Sequence, residues 1–207
     1  MGHLEGSKRF REIVKESLKI GVKALTAFAF STENWARSKK EVDFLFNNMA
    51  SFLKTYKKEL IDNGAKFNFI GRRDRLPKFL IEELEKLEAE TSANKKFTLN
   101  VALDYGGRWD IVEATKKIAV DYKNAKIKKS DIDESLFDDY VSLAGVCAPD
   151  LLIRTSGEKR ISNFLLWDLA YAEFYFTDIY WPDFKKSQLY LAIEEYSRRD
   201  RRFGSDA

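Results

Sequence analysis

Two periods alternate along this chain, and that alternation constrains the fold more than any other feature: short apolar runs of strand length are separated by amphipathic stretches too long for hairpin turns. Residues 23–30 (KALTAFAF) form a short, mostly apolar run that suits a buried strand of a parallel sheet, and 66–70 and 97–103 (FTLNVAL) are strand candidates too. Residues 150–154 and 173–177 are two further strand candidates. Between these runs the spacing predicts helices. The first covers residues 5–20, with Phe10, Ile13, Val14 and Leu18 on one face before Gly21. The second covers 39–62, with Val42, Phe44, Leu45, Phe46, Met49, Phe52 and Leu53 inward. Others are expected over 77–90, 109–122, a short stretch before Pro149, 162–171, and from Lys185 into a basic tail. Helical crossovers between strands imply an α/β fold, an open, mostly parallel β-sheet surrounded by helices. At 207 residues, the length suits one domain over residues 1–207 with a sizeable core.

Composition narrows the function by exclusion. The 36 Lys and Arg are nearly matched by 33 Asp and Glu, so a net charge of +3 gives no bulk field for nucleic acid, and anion binding must come from local clusters. Cys147 is alone, which rules out an intrachain disulfide framework and suits a reducing compartment. No run approaches the ~18 apolar residues of a membrane-spanning helix, and the opening residues, with His3, Glu5, Lys8 and Arg9, lack the apolar stretch of a signal peptide. The expected location is the cytoplasm.

Ligands of open parallel sheets bind outside the carboxyl ends of the strands. Three such exits are unusually polar here: STENWARS after Phe30, DYGGRWD after Leu103 and TSGEKRIS after Arg154. At the third, Arg154, Arg160 and Ser162 surround a Ser156-Gly157 turn ahead of a helix expected from Ser162, a combination suited to a diphosphate. An N-capped helix with two surface arginines is the plain alternative. At the first exit, Ser31 or Thr32 ahead of an acid fits a simple capping box as well as a polar substrate loop. The glycine pair of the second exit fits an ordinary turn, and neither the dinucleotide fingerprint nor the P-loop pattern is present.

AFSTENWAR, LNVALDYGGRWDIVEATK, PDLLIRTSGEKRISNFLLWDLAYAEFYFTDIYWPDF and RRDRRFG resemble the successive signature blocks of cis-prenyltransferases of the undecaprenyl diphosphate synthase type, colinear from about Gly2 to Gly204. The resemblance implies an enzyme that condenses isopentenyl diphosphate with an allylic diphosphate, farnesyl diphosphate foremost. Its product would be a long-chain Z-polyprenyl diphosphate, a lipid-carrier precursor for cell-wall biogenesis. It also implies Mg2+, a homodimer, a hydrophobic tunnel and transient membrane-surface contact for product release, with no nucleic acid. By position, the resemblance assigns Arg154, Arg160 and Ser162 to the diphosphate of isopentenyl diphosphate and Glu173 to Mg2+. It assigns Ser31, Asn34 and Trp35 to the catalytic loop, Asn34 as partner for proton removal and Trp35 for hydrophobic positioning. Phe30 and Arg37 flank that loop as substrate contacts, His3 lies near the diphosphates, and Arg202 and Gly204 belong to a tail that crosses to the partner's phosphate site.

The resemblance also places a strand and an aspartate-containing loop ahead of Met1, so the expectation is a domain incomplete at its amino end whose residues 1–207 are inactive alone. Were they active alone, Glu33 or Asp104 would be the first acids to test as the metal ligand. Ser38 stands where the family often has Pro, and Arg72 where an acid usually follows Ile70-Gly71. Two alternatives remain at this point. One is a non-catalytic scaffold subunit of a heteromeric cis-prenyltransferase. The other is an RNA- or membrane-surface binder using Arg198, Arg199, Arg201 and Arg202, a run interrupted by Asp200 and lacking an aromatic platform.

Overall fold

The computed structural model describes residues 2–199, with side chains from residue 5 onward. In chain order the elements are α1 (Gly2–Lys19), β1 (Ala24–Ser31), α2 (Lys39–Asp62), β2 (Ala65–Ile70), α3 (Lys78–Thr91), β3 (Phe97–Tyr105), α4 (Gly107–Lys123), α5 (Glu134–Asp138), β4 (Leu151–Arg154), β5 (Glu173–Phe176) and α6 (Lys186–Ser197). Every expected strand is present to within two residues at either end, and all pairing is parallel. The strands form two ladders rather than one continuous sheet, three in the order β1-β3-β2 and two in β4-β5. Each ladder belongs to its own compact unit, one built from residues 24–147 and 163–167, the other from residues 1–23, 148–162 and 168–207.

In the larger unit β3 is the central strand, and Phe97, Leu99, Val101, Ala102 and Leu103 are all buried. Burial on both faces explains why this run reads as continuously apolar. One polar residue inside it sets the register. Asn100 is fully buried, accepts from Asn68 Nδ2 at 2.9 Å and donates from its own Nδ2 to Thr26 Oγ1 at 3.0 Å. Thr26 and Asn68 are its register partners on β1 and β2, so a slip of one residue in either strand would strand a buried amide, at about 1–3 kcal/mol per lost partner.

Helix α3 buries Leu80, Leu84 and Leu87 against β2 and α2, a contribution of about 1.5–3 kcal/mol each. Its last buried residue, Thr91, accepts from Phe67 N at 3.0 Å, which ties the helix end to β2. Helix α2 buries Val42, Phe46, Ala50 and Leu53. Phe44 is 48% exposed, contrary to its expected inward position, because two residues at 100° each carry it to the far side of the helix from Phe46.

In the smaller unit, α1 is held to the Trp181–Asp183 turn by Trp181 Nε1 donating to Gly6 O at 3.1 Å and Arg9 Nε donating to Pro182 O at 3.0 Å. Tyr190 of α6 donates to the buried Glu16 carboxylate of α1. That hydrogen bond, opposed by desolvation and helped by Lys19, holds the Glu16 carboxyl below the usual range.

The helix expected over 162–171 is absent and residues 162–172 run as turns. Ser162, Asn163 and Leu165 have φ of 50°, 62° and 42°, and three left-handed residues in four break any helical hydrogen-bond ladder.

Gly71, at the exit of β2, has φ of 124°, and a Cβ there would lie 2.0 Å from Leu103 O. Gly145 also has positive φ, 73°, but open space around it. Gly71→Ala should therefore cost about 2–5 kcal/mol and Gly145→Ala only about 1–2 kcal/mol. Urea denaturation checks the ranking, and equal costs would show that the close approach at Gly71 does not exist.

Candidate active site

The first two polar exits lie side by side at the carboxyl end of the three-stranded sheet, where Ser31 pairs with Tyr105. Just before that pair the ladder is irregular. Ala29 is an extra residue on β1 between Phe28↔Ala102 and Phe30↔Leu103, and Asp104 is an extra residue on β3 between Leu103 and Tyr105. The two irregularities cancel, so the strands finish in register. Bulges of this kind re-aim side chains at sheet ends. Asp104 takes φ of 48° and is fully buried.

The Asp104 carboxylate is hydrogen-bonded by two partners, and Arg72 Nε forms a longer ion pair with Oδ2 at 4.0 Å. Trp35 Nε1 donates to Oδ1 at 2.8 Å, and Arg75 donates from Nε to Oδ2 at 2.8 Å and from its Nη2 to Oδ1. The Arg75 guanidinium also lies 5.2 Å from the Trp35 ring centroid, within cation–π range. Gly71 makes this possible by letting the chain cross close over β3, where Arg72 N donates to Asp104 O at 3.3 Å. Beneath the indole sit Phe30 and Phe46, both 2% exposed, with ring centroids 5.3 and 5.5 Å from that of Trp35. Phe30 thus supports Trp35 from the core. Residues Thr32–Ala36 form a 3-10 turn in which Ser31 N donates to Asn34 Oδ1 at 3.0 Å, while Arg37 is exposed and paired with Glu41 at 2.9 Å. The capping-box contact expected at this exit is therefore present.

The glycine pair of the second exit has a packing reason. A Cβ on Gly106 would lie 2.6 Å from Asn163 Nδ2 and 2.7 Å from Thr32 Oγ1, and one on Gly107 would lie 2.6 Å from Leu166 Cγ. Asn163 fills the space they leave. Its carbonyl accepts from Gly107 N at 2.6 Å, its Oδ1 accepts from Arg108 N at 2.9 Å, and its Nδ2 donates to Glu33 Oε1 at 2.9 Å. One side chain therefore links STENW, DYGGR and RISNF. Partial burial opposes ionisation of Glu33, but hydrogen bonds from Asn163, its own backbone, Ser31 and Thr32 outweigh it and hold the carboxyl below the usual range.

The third exit belongs to the smaller unit. Arg154 ends β4, half-buried, and its guanidinium has no hydrogen bond or ion pair among the described residues. Arg160 is exposed and paired with Glu158, and Ser162 is half-buried in left-handed conformation. The backbone offers this exit little, because Ser156 N and Gly157 N already donate to Ile179 O and Thr177 O at 2.9 Å each. The helix amino terminus expected here is also missing, so the polar groups this exit offers are its side chains.

Glu173 lies at the other end of the same ladder. It pairs with Leu151 while Arg154 pairs with Phe176, so the two are three residues apart, roughly 10 Å, and on opposite faces. Arg199 Nη1 donates to Glu173 Oε2 at 2.8 Å and Nη2 to Glu195 Oε1 at 2.5 Å. Among the described residues no three acids, His or Cys cluster as a metal cage. A lone carboxylate still fits Mg2+, which commonly takes one or two carboxylates and completes its shell with phosphate and water. Asp104, the fallback acid, has both oxygens engaged by Trp35 and Arg75. The side chain of His3 and all of Arg202 and Gly204 lie outside the described residues.

Arg75 and Asn163 carry no sequence signal for this site, and Asp104 is named by sequence only as a fallback metal ligand, although an acid closing the apolar run FTLNVAL just before a glycine pair is a usable signal. Asn163→Ala should raise the Glu33 pKa toward the ordinary glutamate value, read by carboxyl NMR titration, and an unchanged titration would contradict the link. The sign for stability follows. A depressed folded pKa makes the Glu33 contribution present above the ordinary value and lost as pH falls through the folded one.

Comparison with known proteins places this geometry. The family model Prenyltransf, describing undecaprenyl diphosphate synthases, matches residues 1–204. The isoprenyl transferase of Prochlorococcus marinus is 51% identical over 203 residues, covering 98% of this chain and 75% of the relative. That of Aquifex aeolicus is 47% identical, covering 98% and 85%. Among solved structures, lavandulyl diphosphate synthase from Lavandula x intermedia, in complex with dimethylallyl diphosphate, matches with a TM-score of 0.94 at 39% identity, covering 98% of this chain and 88% of that one. A probable undecaprenyl diphosphate synthase from Campylobacter jejuni matches at 0.85 and 30%, covering 97% and 92%. With its parallel α/β architecture and its three polar strand exits, the chain belongs to the undecaprenyl diphosphate synthase family of cis-prenyltransferases.

Proposed function

We propose that this protein is a cis-prenyltransferase that joins C1 of an allylic diphosphate, farnesyl diphosphate foremost, to C4 of isopentenyl diphosphate. The new carbon–carbon bond forms as the allylic carbon–oxygen bond breaks. Diphosphate departs, and loss of a proton from C2 of the isopentenyl unit leaves a Z double bond. Repetition gives a long-chain polyprenyl diphosphate. The observation that carries this reading is Arg154, a half-buried guanidinium with no partner among the described residues, at a strand exit of a chain in this family.

Arg154, Arg160 and Ser162 hold the diphosphate of isopentenyl diphosphate, since forked guanidiniums suit phosphate oxygens. Ser31, Asn34 and Trp35 form the loop that orients the reacting groups, with Arg37 and Phe30 beside it and Asn34 as partner for proton removal. Glu173 contributes one oxygen to Mg2+, which when bound would neutralise charge on the diphosphates. The opposite placement of Glu173 and Arg154 on the ladder supports separate roles for them. A homodimer completed by the tail bearing Arg202 and Gly204, His3 near the diphosphates, and a cytoplasmic enzyme touching the membrane surface to release product belong to the same reading. Among the described residues no helix is long and apolar enough to cross a membrane. The scaffold alternative gains no support, because the relatives above are named for transfer or synthesis.

Labelled isopentenyl diphosphate with farnesyl diphosphate, followed by product chromatography, tests the reaction. In the active protein, Arg154→Ala should raise KM for isopentenyl diphosphate roughly tenfold or more, the loss of one charge-assisted contact of about 1.5–3 kcal/mol, with a smaller change for the allylic substrate. Equal losses for both would overturn the site assignment. Glu173→Ala should depress turnover far more than thermal stability, and wild-type turnover at ordinary Mg2+ would remove Glu173 from the metal site.

A further inference from the structure

We propose that Asp104 and Arg75 are positioning residues that fix the Trp35 indole and, through it, the loop from Ser31 to Arg37, a role that rests on the prenyl-transfer reading of that loop. Four observations converge. Asp104 is fully buried from solvent, with 0% exposure, at the end of the central strand. It holds a left-handed backbone, φ 48°, a conformation a non-glycine residue adopts at some cost. Its oxygens are shared between the indole N–H and a two-pronged guanidinium. That guanidinium in turn lies over the indole ring.

A buried carboxylate must be met by charge and hydrogen bonds, and an apolar side chain of similar volume would close such a space with less desolvation. What the ion pair supplies instead is direction. Trp35 is gripped at its N–H by Asp104 and across its face by Arg75, while Phe30 and Phe46 support it from the core. The ring stays half-buried, so part of its surface is presented in a set orientation. Asn34 precedes Trp35 within the same five-residue turn and its Oδ1 accepts from Ser31 N at 3.0 Å, so a turn fixed through the indole also carries this amide. A group that acts on where reacting atoms sit, rather than on binding, changes kcat more than KM.

The test uses the full chain and three variants, Asp104→Asn, Arg75→Lys and Trp35→Phe. Fluorescence of Trp35 is isolated by subtracting the signal of the matching Trp35→Phe protein, which leaves out the three other tryptophans. Asp104→Asn should raise acrylamide quenching of the Trp35 component roughly twofold or more and lower kcat about tenfold, with KM for both diphosphates little changed. Arg75→Lys keeps the charge without the fork and should fall between wild type and Asp104→Asn in both readouts. Unchanged quenching with unchanged kcat overturns the proposal, as does a loss confined to KM. Circular dichroism reports folding, and if Asp104→Asn does not fold, Arg75→Lys decides, since the Arg75 side chain is 36% exposed and tolerates exchange. Absence of prenyl transfer in the wild-type protein would defeat the functional reading, while the quenching comparison would still decide whether Asp104 and Arg75 hold the ring.

Discussion

A carboxylate buried at the end of the central strand organises the loops of the larger unit. Asp104 can sit there because β3 carries one extra residue at that point and because Arg75 arrives from the exit of β2 to meet its charge. Arg75 arrives because Gly71 allows the chain to pass against Leu103 O. The indole of Trp35 completes the set from the exit of β1. Three strand exits, 29 and 69 residues apart in sequence at their contacts, are thereby joined by the Arg75 ion pair, a longer one from Arg72 and the Trp35 hydrogen bond. The energetic logic is that of any buried charge: removing one partner costs far more than the pair contributes over an apolar filling, so the geometry is held all or none.

Asn163 performs a related service with an uncharged side chain. It links the loop of Glu33 to the turn of Gly107 and Arg108, and it does so from a left-handed backbone. At the exit of β4 the backbone donors Ser156 N and Gly157 N are already taken, so what that exit offers a ligand is its side chains.

Much of this was legible in the sequence because short, largely apolar runs mark the strands from KALTAFAF to EFYF; burial on both faces explains that run for β3, while β1, β4 and β5 are only partly buried. The signature blocks located Arg154, Glu173 and the Trp35 loop. Periodicity failed where side-chain chemistry overrides it. Residues 162–171 have the composition of a helix, yet Asn163 makes its hydrogen bonds to a distant turn and the backbone there goes left-handed. Phe44 was placed inward by hydrophobicity alone, although the angular position set by Val42, Phe46 and Ala50 turns it outward. Arg75 was hidden in a polar segment where only Arg72 drew attention, and nothing local in a sequence announces a partner on another strand.

The exchange rate of the Trp35 indole proton with solvent, assigned by comparison with a Trp35→Phe protein, tests the arrangement around Asp104 most directly. A proton donated at 2.8 Å to a carboxylate with no solvent exposure should be strongly protected, with exchange slowed by orders of magnitude relative to the unfolded chain. Exchange of that proton as fast as in the unfolded chain, in protein that is otherwise folded, would contradict it.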